Sequence, residues 1–88
     1  MMEEIAALTE SGDFSGAEEL LTASLAHFPK HEPFLHFQFG RLYVRWNKLT
    51  SALNHLGRAA ELSRDEILLL QVVEEVRVAK GKQALQTP

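Results

Sequence analysis

Side chains able to do chemistry are few in this chain of 88 residues, and their spacing scatters them. His27 and His31 stand four apart, the interval that sets two imidazoles on one helical face for a metal. Pro29 lies between them, and a proline inside a helix breaks the hydrogen-bond ladder, so the pair does not share a face. As ordinary surface residues they are fully accounted for. His36 falls at a packing position, and His55 near the exposed side of its helix. Glu18 and Glu19, like Glu74 and Glu75, are sequence neighbours, so each pair splits across two faces of a helix. With no cysteine, neither a disulfide framework nor a thiolate metal site can form. Serine, histidine and aspartate are present, but no nucleophile elbow and no glycine-rich phosphate loop. This inventory predicts a protein that is not an enzyme and uses no metal and no cofactor.

The elements that hold these residues read as helices throughout, giving an all-α fold. Met2 to Ser11 form the first helix, stopped by Gly12 at the position after the cap. Ser15 and Glu18 make a capping-box pattern that opens the second, which Pro29 closes after Phe28. Pro33 suits the first position of helix three, which runs to about Trp46. Helix four covers about Leu49 to Leu62. Ser63 and Glu66 form a second capping box for helix five, expected to end near Lys80 and Gly81. Residues 1–82 then make one domain with a single core, about two-thirds of its unfolded surface being buriable at this size, and residues 83–88 a frayed tail.

The helices repeat. A shift of 35 residues lays Ile5 on Gly40, Leu8 on Tyr43, Gly12 on Asn47, Ala17 on Ala52 and Leu21 on Leu56. A shift of 34 lays Leu35 on Leu69, Phe39 on Val73 and Leu42 on Val76, although Glu74 then replaces the small residue and Arg77 the tyrosine. In the middle copy His36, Phe39, Gly40 and Tyr43 are followed by Ala52, Leu56 and Ala59. This resembles the tetratricopeptide-repeat (TPR) signature W-x2-L-G-x2-Y, A-x3-F, A, with His and Phe in place of Trp and Leu. The resemblance covers nearly the whole chain as about two and a half repeats, strongest in the middle. It implies a right-handed stack of antiparallel helix hairpins, with Gly40, Ala52 and Ala59 thin where helices cross.

Charge narrows the partner. The net charge of −3 argues against a general nucleic-acid binder. Residues 1–19 hold six acids and no base, whereas residues 41–64 hold Arg41, Arg45, Lys48, Arg58 and Arg64 against Glu61. Solvated helix faces are the simpler reading, and a bias toward an acidic partner or head-to-tail self-association is the functional one. No stretch has the apolar length of a membrane span, and the N-terminus lacks a basic leader, so a cytoplasmic location is expected.

Apolar residues exceed what a core needs. Helix three is apolar on all sides, and helix five carries Ile67, Leu68, Leu69, Leu70, Val72, Val73, Val76 and Val78. Leu69, Leu70, Val73 and Val76 are expected to cover helix four. In the TPR-like frame Phe34, Phe37, Arg41, Val44, Arg45, Leu68, Gln71, Glu75 and Val78 fall on or beside the concave surface, a groove suited to an apolar, partly acidic segment. The resemblance implies an adaptor, chaperone or assembly scaffold. One TPR subgroup clamps a C-terminal carboxylate with Lys, Asn and Arg, but the matching positions here are Met2, Ala6, Gln38, Leu68 and Val72, so that clamp is absent. The expected partner is another protein or peptide segment, with neither nucleic acid nor membrane involved. Two alternatives stand beside it: a self-associating unit forming a homo-oligomer, and a slice of a longer repeat array, with which the doubled Met1-Met2 start is compatible.

Overall fold

The computed structural model describes residues 2–86. Five helices follow one another: α1 (Met2–Glu10), α2 (Phe14–His27), α3 (Glu32–Arg45), α4 (Leu49–Leu62) and α5 (Glu66–Gln86), with a 3-10 turn at Pro29–His31 between α2 and α3. No strand occurs among the described residues. Each helix packs on the next, α3 also meets α5, and the α3–α4 interface is the most extensive. None of the helices is long and apolar enough to cross a membrane, among the described residues.

Two hairpins are built alike. α2 begins at Phe14 and ends at His27, and α4 begins and ends 35 residues later at Leu49 and Leu62. Their buried positions match as well: Ala17 with Ala52 and Leu21 with Leu56 all have no exposed surface, while Ser24 pairs with Ala59. The turns repeat too. Gly12 ends α1 in the left-handed region at φ 87°, and Asn47 ends α3 there at φ 62°. Behind each, the chain folds back on the same carbonyls: Asp13 N donates to Leu8 O and Lys48 N to Tyr43 O, both at 2.8 Å. These bonds satisfy helix-end carbonyls and fix the exit direction of the chain, which is why both hairpins close at the same place.

The capping boxes are not where the sequence pattern put them. Asp13 caps α2, accepting from Gly16 N at 3.0 Å, instead of Ser15. Gly16 makes this possible, since a β-carbon there would stand 2.5 Å from the Asp13 carboxylate. Asp65 caps α5, accepting from Ile67 N at 2.9 Å, while the Ser63 hydroxyl accepts from Asp65 N at 3.1 Å. Pro33 is the second helical residue of α3, after Glu32.

At the α3–α4 crossing Gly40 lies against Leu56. A β-carbon on Gly40 would meet Leu56 Cγ at 2.5 Å and come within 3.5 Å of the Ala52 carbonyl. Above the crossing an aromatic series runs along α3: Phe14 stacks on Trp46, Trp46 on Tyr43 and Tyr43 on Phe39. His55, expected near the exposed side, is half-buried and stacks on Phe39 with centroids 4.7 Å apart.

α5 departs most from expectation. It continues past Gly81 to Gln86, so residues 83–86 of the expected tail are helical; Thr87 and Pro88 of that tail lie outside the described residues. The extension is tied back to the end of α3, where Lys82 Nζ donates to Val44 O at 3.3 Å and Gln86 Nε2 to Asn47 Oδ1. Lys82 thereby places a cation at the negative end of α3. The inward stripe is also rotated. Leu68, Val72 and Ala79 are buried, whereas Leu70 and Val73, expected to cover α4, are 70% and 55% exposed. The preceding hairpin sets this stripe, and no helix among the described residues covers the α5 face that corresponds to the one α3 turns toward α4.

Candidate functional site

α1, α3 and α5 share one face of the molecule, and its polar centre is Arg41. This guanidinium lies 5.8 Å over the Phe37 ring. It pairs across to α5, Arg41 Nε to Glu75 Oε1 at 3.4 Å. On the other side it borders a groove of about 250 Å³ between α1 and α3. Ile5, Ala6, Thr9 and Glu10 form the α1 wall, and Gln38, Arg41, Leu42 and Arg45 the α3 wall. Ile5 and Leu42 belong to the core and make an apolar floor, while Ala6, Glu10 and Arg45 are exposed at the rim.

The expected site residues divide. Arg41, Glu75 and Phe37 do come together, and Arg45 joins Arg41 at the groove. Gln71 is exposed on α5, and Phe34 is 38% exposed. Phe37, Val44 and Leu68 are corrections: they are only 4%, 4% and 8% exposed and serve as core. Phe37 packs in one cluster with Leu56, Ala59, Leu68 and Val72, and Val44 in another that includes Ala79. The cause is α5, whose inward stripe closes over the α3 residues that an open frame would leave uncovered. Nothing in the types of Ala6, Thr9, Glu10 and Gln38 marks them as groove residues in the sequence. The TPR-like frame did place Ala6 and Gln38 on the inner helices.

A second polar cluster sits between α2, α3 and α4. The Tyr43 hydroxyl donates to Glu18 Oε2, and the phenol is pushed up to about 12, by burial first and by the adjacent carboxylate second. His36 Nδ1 faces His55 Nδ1 at 3.0 Å, so one ring donates and the other accepts. His36 Nε2 lies 3.3 Å from Glu32 Oε1. Burial, reinforced by His36, holds the His55 imidazole below its usual pKa against a smaller opposite pull from Glu18. No group of three His, Cys, Asp or Glu is placed to hold a metal, among the described residues.

No protein-family model matches the chain, and no curated protein or solved structure is significantly similar to it.

Proposed function

We propose that this chain is a non-enzymatic protein–protein interaction module of the adaptor, chaperone or scaffold type, built from TPR-like hairpins. Its binding site is the α1–α3 groove, which takes a protein segment with small apolar anchors and acidic residues. The observation that carries this reading is the groove itself: an apolar floor of Ile5 and Leu42 with Arg41 and Arg45 one turn apart on one wall. Two arginines beside an apolar trough suit a short segment that alternates anchors with carboxylates. Glu75 already offsets part of the Arg41 charge, so Arg45 carries more of the discrimination. The TPR-like reading rests on Gly40, Tyr43, Ala52 and Ala59 at the crossing and on the 35-residue hairpin repeat.

The test is binding of a library of acidic amphipathic peptides, read by fluorescence anisotropy at two salt concentrations. Ala6→Arg should obstruct the groove and Arg45→Glu should repel the ligand, both with unchanged helical circular dichroism. The expected result is salt-sensitive binding by the wild type and at least about a tenfold loss in each variant. Equal binding by all three proteins, or no binding by the wild type, would remove the groove from consideration.

A further inference from the structure

The face of α5 turned away from the core carries Ile67, Leu70 and Val73 at 70%, 70% and 55% exposure. By the 34-residue shift, Leu70, Val73 and Arg77 hold the places of His36, Phe39 and Tyr43 on α3. Those three rings all contact His55 of α4, with centroids at 5.2, 4.7 and 5.3 Å, the first two stacked and the third tilted. The corresponding surface of α3 is therefore covered by an antiparallel helix, and on α5 it is covered by no described residue.

Charge indicates which helix fits there. Glu66, Leu70, Val73 and Arg77 follow intervals of four, three and four, the spacing of a helix–helix seam. Read forward the stripe is acid, apolar, apolar, base, so its own reverse is its complement. We propose that α5 pairs antiparallel with α5 of a second copy, about a twofold axis passing between positions 71 and 72. Leu70 of one copy then meets Val73 of the other, and Glu66 meets Arg77 at both ends of a seam about 16 Å long. Arg77 already lies 3.5 Å from Glu74 of its own helix, so in the pair it sits between two carboxylates. A parallel arrangement would set Glu66 against Glu66 and Arg77 against Arg77, which like-charge repulsion disfavours. The seam lies on a different surface from the α1–α3 groove, so the two proposals succeed or fail separately.

Sedimentation equilibrium of the full chain over a wide concentration range tests the pairing. The wild type should reach a dimer. Glu66→Arg alone and Arg77→Glu alone should each raise the dimer dissociation constant at least about tenfold. Mixing these two variants should restore dimers, because each acidic stripe then faces a basic one. The double variant Glu66→Arg with Arg77→Glu should dimerise with itself. Both sites are solvent-exposed, and circular dichroism checks that each variant keeps its helices. Leu70→Asp tests the apolar centre of the seam and should be monomeric and folded. A wild type that stays monomeric, or a dimer indifferent to Leu70→Asp and to both charge reversals, would overturn the proposal.

Discussion

The Tyr43 hydroxyl donates to the Glu18 carboxylate across the α2–α3 interface, 25 residues apart in sequence. Tyr43 is the single tyrosine in the chain, so its ionisation can be read without ambiguity from phenolate absorbance. The midpoint should lie near pH 12, against an ordinary value near 10. The unfolded chain releases this proton near pH 10 while the folded chain retains it, so stability should fall between about pH 10 and 12. Glu18→Gln should bring the midpoint down only part of the way, since burial is the larger cause. A midpoint at the ordinary value in the folded wild type would contradict the observed packing.

Acid should weaken the fold through His55. Its folded pKa is below the ordinary value of about 6.5, so its contribution is present above that pH and is lost as pH falls below it. The groups facing it are His36, Glu18 and the Phe39 and Tyr43 rings. Thermal melts at pH 7.5 and 5.5 should show a lower midpoint at the acid end, and His55→Gln should shrink that difference. An identical difference in the variant would remove His55 as the cause.

Phe37 is a core residue, and its replacement should act on stability before anything else. Phe37→Ala should cost about 3–5 kcal/mol, and Phe37→Glu should unfold the chain. Urea denaturation followed by circular dichroism decides it. A Phe37→Glu variant with a normal transition would place this ring on the surface after all.

Glycines should respond in opposite directions. Gly40→Ala forces a methyl group into Leu56 and should cost roughly 1–3 kcal/mol, while Ala52→Arg should abolish the crossing altogether. Gly57 and Gly81 sit inside helices with nothing near a would-be β-carbon. Alanine at either should add about 0.5–1 kcal/mol. Denaturant midpoints of the three glycine variants should therefore fall on both sides of the wild type.

The hairpins were legible because Ala17 and Ala52, Leu21 and Leu56 occupy positions where only one size fits. A crossing constrains volume so tightly that its residues announce themselves at the repeat interval. The caps were harder, because Asp13 and Ser15 are both good cap formers two residues apart, and the bond geometry after Gly12 decides between them. Helix five resisted for a different reason. Its apolar residues occur on every side, so periodicity defines no inner face, and contact with α3 and α4 alone selects Leu68, Val72 and Ala79. That one rotation moved Leu68 from groove to core and left Leu70 and Val73 outside. Phe37 and Val44 follow the same logic from the α3 side. Arg41 and Glu75 were placed near each other, but their pairing depends on that rotation, which the chain order does not encode locally.

α1 differs from every other helix in how it is held: it packs on α2 and adds Ile5 to the core, with half-buried Leu8 against it, yet it is one whole wall of the groove. Protection against amide exchange should thus be graded along the chain, least in α1 and greatest where α3 is clasped between α4 and α5. If the groove takes a ligand as proposed, a wall that opens more readily than the floor beneath it would make that capture a partial folding event. Occupancy of the groove would then report itself as slower exchange in residues 2–10, many of which touch no ligand at all.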